Sequence, residues 1–166
     1  MMRKMEVTGL AMDPAGNTPI LLLKSEEGDI TLPIWIGLLE AASIAMALQN
    51  VEFARPMTHD LFKAFLDRMD VGVEKVEVVD LKDNTYFALI HFLGSDGGFT
   101  MDARPSDAIA IALRTKSPIF VHQEVIAKST QNLEAMVEAA DDSEEGKRWA
   151  DYLAGLDPDA FGKYKM

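Results

Sequence analysis

Met101-Asp102-Ala103-Arg104-Pro105-Ser106-Asp107-Ala108-Ile109-Ala110-Ile111-Ala112-Leu113 crowds three charged side chains and a hydroxyl into six positions, directly before an alanine-rich apolar run. Pro105 suits the first position of a helix, where its missing N–H has no intrahelical partner to lose. Asp107 then falls in the first turn, where the positive end of the helix dipole favours a carboxylate. Arg104 stands just outside that end. The stretch therefore predicts a buried helix over Pro105–Thr115. Its start gathers a carboxylate, a guanidinium and free N–H groups, the ingredients of an anion site. Asp102, Arg104 and Asp107 would serve equally well as a cap and a structural ion-pair lock.

Outward from this helix, Val73–Leu81, Thr85–Leu93 and Gly98–Asp102 read as strands. Lys82-Asp83-Asn84 and Gly94-Ser95-Asp96-Gly97 are the turns between them. Beyond it, Lys116-Ser117-Pro118 breaks the helix, Ile119–His122 reads as a short strand and Glu124–Thr130 as a helix. The beginning of the chain has the same order. Glu6–Met12, Pro19–Lys24 and Ile30–Ile36 carry strand signals, with Pro33 marking an edge or a bulge. Leu38–Gln49 follows, apolar almost all round, which predicts a buried helix whose alanines allow close approach.

Ile36–Leu48 aligns without gaps against Met101–Leu113, setting Ser43–Leu48 (SIAMAL) on Ala108–Leu113 (AIAIAL). A duplicated β-β-β-α unit is the expectation. Between the two units, Asn50–Pro56 is a polar break and Thr58–Met69 a second helix, with Thr58 as N-cap and Asp60 in the first turn. Leu61, Phe62, Phe65, Leu66 and Met69 give that helix an amphipathic face. The fold class is α+β: duplicated β-β-β-α units form a mixed or antiparallel sheet packed on buried alanine-rich helices, with a small C-terminal helical appendage. Residues 1–130 make one domain and residues 131–166 an acidic helical extension. In that extension Trp149, Leu153 and Leu156 form a short apolar stripe on Lys147–Leu156. So short an element needs the core or a partner to be stable.

With 166 residues the chain is long enough for one substantial core. It has no cysteine, which excludes disulfides, zinc–thiolate sites and cysteine nucleophiles and agrees with a cytoplasmic location. No apolar run approaches the roughly 18 residues of a membrane span. The opening Met1–Val7 lacks the apolar core of a signal peptide, so no membrane association is expected. The net charge of −11 repels nucleic acid, and residues 130–166 are the most acidic part, with nine acids against four bases. That acidic tail is a candidate recruiter of a basic protein partner. Glycine-rich phosphate loops, dinucleotide fingerprints and nucleophile elbows are absent.

Three blocks carry a family likeness: Leu32-Pro33-Ile34-Trp35-Ile36-Gly37 with Glu40-Ala41, then Arg55-Pro56-Met57-Thr58-His59-Asp60-Leu61, then Asp102–Ala110. In order and spacing they resemble the bifunctional nuclease domain family over roughly residues 5–129. The resemblance implies a dimeric α+β protein acting on both RNA and DNA. Some members carry a C-terminal repair-protein-like helical hairpin, which this tail does not match.

On the nuclease reading, phosphodiester hydrolysis assisted by Mg²⁺ or Mn²⁺ calls for converging carboxylates. Asp102 and Asp107, with Asp60 or Glu40, are the acidic candidates, and Asp60, Asp107 and Glu40 the candidate metal ligands. No Asp-x-Asp or His-x-x-x-His spacing announces a metal site. His59 is the candidate base or ligand, because it stands at a helix start between Thr58 and Asp60. His91 and His122 read as strand residues. Arg55 and Arg104 each precede a proline and a helix start, where they would hold a phosphate or tie down their loops by pairing with Asp60 and Asp107. Ser106 joins them as a candidate substrate contact. The rival reading is a non-catalytic dimeric binding or scaffold module, in which these charges are structural ion pairs.

Overall fold

Two three-stranded meanders are built from the strand-forming stretches on either side of the first two helices. In the computed structural model, which describes residues 1–139 and their side chains through residue 135, the first meander is β1 (Met2–Met12), β2 (Pro19–Ser25) and β3 (Thr31–Trp35). The second is β4 (Gly72–Lys82), β5 (Thr85–Gly94) and β6 (Gly97–Ala103). A short strand, β7 (Ile119–His122), joins them into one seven-stranded sheet of order β3-β2-β1-β7-β4-β5-β6. β7 runs antiparallel to β1 and parallel to β4; every other pairing is antiparallel. β3 is an edge strand, which is where Pro33 does least damage to a ladder. Asp83 and Asn84 both have positive φ, 48° and 59°, and close the β4–β5 hairpin as a two-residue turn whose twist matches its strands.

Four helices complete the mixed α+β fold: α1 (Leu38–Leu48), α2 (Thr58–Arg68), α3 (Pro105–Thr115) and α4 (Gln123–Ala139). Each meander leads into an alanine-rich helix, α1 or α3. The α3 start at Pro105 agrees with the sequence expectation, and seven of its eleven residues are buried. Its small alanines let it lie against Val76, Val78, Ala88 and Ile90 in the main core. Lys116, in the left-handed conformation at φ 56°, ends the helix, and Ser117 then anchors it by donating from Oγ to the Val73 carbonyl at 2.8 Å.

Two helices are less buried than their composition predicts. In α1 only Ala41, Ile44 and Ala45 are buried, while Leu38 and Leu39 are 67% and 82% exposed. The physical reason is layering: α1 meets the sheet and α3 on one side only, so an all-round apolar pattern leaves a face uncovered. In α2 Leu66 alone is buried, with Phe62 packed edge-on against Phe92 at 6.3 Å between ring centroids. Leu61, Phe65 and Met69 of the expected apolar face point outward and are exposed. No helix among the described residues is long and apolar enough to cross a membrane. α4 runs on through residues 130 and 131, and the Trp149, Leu153 and Leu156 stripe lies outside the described residues.

Candidate functional site

Three helix starts meet in this fold, and each carries an acid at its third helical position: Glu40 in α1, Asp60 in α2 and Asp107 in α3. A carboxylate there is favoured by the helix dipole and by the unpaired N–H groups of the first turn. The cap of α2 differs from the expectation. Met57 holds the cap position and Thr58 is already helical, because the Asp60 carboxylate accepts the Met57 N–H at 3.1 Å and does the capping that Thr58 was expected to do.

Two guanidiniums join the three acids. Arg104 places Nη1 2.8 Å from Glu40 Oε1, and both Nε and Nη2 2.8 Å from Asp107 Oδ2. It thereby clamps the α1 and α3 starts together, while its side chain stays 66% exposed. Glu40 reaches it by folding back over Gly37, where a Cβ would collide with the carboxylate. Arg114, from the last turn of α3 and only 9% exposed, donates from Nε to Asp60 Oδ1 at 2.6 Å. Its remaining N–H groups reach the carbonyls of Ala110 at 2.9 Å and Ser43 at 3.1 Å, and Ser43 Oγ at 3.1 Å. Burial works to raise the Asp60 carboxyl. Arg114, the Met57 N–H and His59 outweigh it and hold the group below its ordinary range.

His59 stands at the centre, its side chain 13% exposed. Nδ1 lies 2.7 Å from Ser43 Oγ and Nε2 lies 2.9 Å from Asp107 Oδ1. Asp107 thus bridges His59 and Arg104, fixing the imidazole in place. Glu40, Ser43, His59, Arg104 and Asp107, with apolar Leu39, Met46 and Met57 at the rim, line a cleft of about 380 Å³. A base, an orienting carboxylate and a partly exposed guanidinium on one cleft wall are what acid–base chemistry on an anionic ester requires.

Of the residues expected from the sequence, His59, Asp107, Arg104 and Glu40 are brought together at this cleft. Asp60 sits behind it, paired with Arg114; the alternative pairing with Arg55 does not occur. Arg55 lies exposed in the loop before α2, without an ion pair among the described residues. Asp102 is exposed on the edge strand β6, and Ser106 is buried at the second helical position; neither lines the cleft. Ser43 and Arg114 went unnoticed in the sequence. The available signal was weak: a hydroxyl three residues after Glu40 in an otherwise apolar helix, and a base at the end of α3.

A preformed metal cage does not fit these side chains as they stand. Glu40, Asp60 and Asp107 each face a guanidinium, and among the described residues no three His, Asp or Glu side chains converge on a common point.

Known proteins resemble most of this chain in sequence. The bifunctional nuclease domain matches residues 21–134, from β2 into α4. An uncharacterized protein of Mycobacterium tuberculosis is 37% identical over 166 residues, covering 96% of this chain and 98% of that protein. Bifunctional nuclease 1 of Arabidopsis thaliana and bifunctional nuclease 2 of Oryza sativa subsp. japonica are each 36% identical over 110 residues. Those matches cover 63% of this chain and 34% of either plant protein. With most of its length matched, the chain belongs to the bifunctional nuclease domain family.

Proposed function

We propose that the protein is a nuclease that hydrolyses phosphodiester bonds in RNA and DNA at the cleft between the α1, α2 and α3 starts. The observation that carries this reading is the contact of His59 with Asp107 beside Arg104 in one open cleft. His59 serves as the base, and Asp107 holds its ring and balances the charge it gains. Arg104 makes one contact through each of its three nitrogens, so Nη1 and Nη2 each keep an N–H for a phosphate oxygen. Arg55, on the neighbouring loop and without an ion pair among the described residues, supplies a second cation to a chain of phosphates.

Mg²⁺ or Mn²⁺ remains a cofactor to be tested, since bound substrate would bring its own oxygens to the acids. A homodimer is part of the same proposal: Leu61 and Phe65 of α2 and its C-cap Met69 recur every four residues and lie exposed, a row that a second copy can cover by two-fold helix packing. The second reading, a non-catalytic scaffold, is favoured by the full pairing of Glu40, Asp60 and Asp107, which also pins the three helices.

Cleavage of single-stranded RNA and DNA, with Mg²⁺ or Mn²⁺ against EDTA, separates the two. His59→Ala and Asp107→Asn are expected to cut the rate by about 10²-fold or more while circular dichroism stays unchanged. No cleavage by the parent leaves the scaffold reading standing, and full activity in both variants overturns the site proposed at this cleft.

A further inference from the structure

Resting on the phosphodiester reading above, we propose that Ser43 is the nucleophile of this site and that cleavage passes through a covalent Ser43–phosphoryl intermediate. His59 has no ring nitrogen to spare for a water. Nε2 meets Asp107 Oδ1 at 2.9 Å and Nδ1 meets Ser43 Oγ at 2.7 Å. Asp107, a carboxylate held by Arg104, can only accept, so Nε2 carries the proton donated to it. Nδ1 is then the acceptor. Ser43 Oγ accepts from Arg114 Nη2 at 3.1 Å, so its own O–H is the proton that Nδ1 receives. Nucleophile, base and orienting acid form one chain, with the two ring nitrogens used in the opposite sense to the serine protease arrangement.

Helical hydroxyls in this fold divide between local and long-range partners: Ser129 of α4 meets Tyr86 Oη at 2.8 Å, while two threonines bond their own helix. A Ser or Thr inside a helix ordinarily donates to the carbonyl one turn back. Thr115 does so to Ile111 at 2.9 Å and Thr130 to Ile126 at 3.0 Å. Ser43 instead turns across the helix interface to His59 and Arg114, and it lines the cleft. Arg114 is nearly buried, so its charge acts on Oγ through little solvent screening and stabilises negative charge growing there.

Ser43 Oγ bonds to phosphorus as its proton passes to His59 Nδ1. The bond from phosphorus to the leaving nucleoside oxygen, in line with Oγ on the far side, breaks, and that oxygen takes a proton from solvent water. Water then attacks phosphorus from that side and loses its proton to solvent, the P–Oγ bond breaks, and Oγ takes back the proton held on His59 Nδ1. Arg104 holds the non-bridging oxygens throughout.

Diisopropyl fluorophosphate tests the nucleophile without any nucleic acid: Oγ bonds to phosphorus, fluoride leaves, and His59 takes the proton. Intact mass is expected to show one adduct per chain, mapped to the peptide holding Ser43. The labelling rate should fall about 10²-fold in His59→Ala and vanish in Ser43→Ala, which alanine's helix propensity keeps folded. RNA cleavage should vanish in Ser43→Ala too. No adduct at Ser43, or undiminished cleavage by Ser43→Ala, overturns the nucleophile. An adduct with no cleavage of RNA or DNA by the parent keeps Ser43 as a nucleophile and overturns the phosphodiester reading.

Discussion

Arg114 Nε donates to Asp60 Oδ1 at 2.6 Å, tying the end of α3 to the start of α2 across 54 residues of sequence. The same guanidinium meets the Ser43 carbonyl 71 residues away, so one side chain registers all three helices around the cleft. Replacing it by methionine keeps the apolar stem and removes every donor. Arg114→Met leaves the Asp60 carboxylate without its cation and should lower stability by about 2–3 kcal/mol. A urea midpoint within error of the parent's would show that the three helices are held by apolar packing alone.

Arg104 contrasts with it. Its pairs are short too, at 2.8 Å, but its side chain is two-thirds exposed, so screening leaves them worth less than about 1 kcal/mol. Arg104→Met should therefore scarcely move the urea midpoint, while RNA cleavage falls by about a hundredfold through loss of the phosphate contact. Equal losses in both measurements would place Arg104 in the framework rather than the chemistry.

Acid should destabilise the protein from a definite point. Burial works to raise Glu77, but the Lys75 ammonium at 2.5 Å and the His91 imidazole at 2.9 Å hold it below its ordinary 4.5. Asp60 is likewise below its ordinary 3.8, for the reasons given above. A lowered folded value means that the unfolded chain takes up protons first as pH falls. The stability these groups contribute is present above about pH 4.5, declines below it and is gone once the folded carboxyls are protonated. Urea midpoints between pH 3 and 7 should show this decline, with a shallower slope in Glu77→Gln. An unchanged slope in that variant would assign the acid sensitivity elsewhere.

α2 carries His59 but rests on little apolar area: Leu66 is its buried residue, and Phe62 touches Phe92 by an edge. Leu66→Ala should cost about 2–4 kcal/mol by the usual cavity arithmetic. If α2 positions His59 as the geometry implies, the same variant loses kcat at temperatures well below its unfolding midpoint, with KM nearly constant. Loss confined to the unfolding transition would mean that the His59 contacts alone hold the helix start.

The local pattern of this chain determined most of its elements. Strand-forming runs bounded by turn residues marked β1 through β6, and Asp83-Asn84 marked a tight turn because those residues tolerate positive φ. Arg-Pro followed by Ser-Asp marked the start of α3, because proline and a first-turn acid suit a helix N-terminus whatever surrounds it. His59 and Asp107 stood out for the same local reason. Only the tertiary structure decided which apolar faces are covered, leaving Leu39 and Phe65 in the open while Leu66 is buried. It alone chose Arg114 over Arg55 as the partner of Asp60, left Asp102 off the cleft, and turned Ser43 toward His59. Helix starts and turns are read from neighbours in sequence, whose geometry the backbone dictates. A hydroxyl finds an imidazole on another helix only through the packing of α1, α2 and α3, and that packing depends on the whole core.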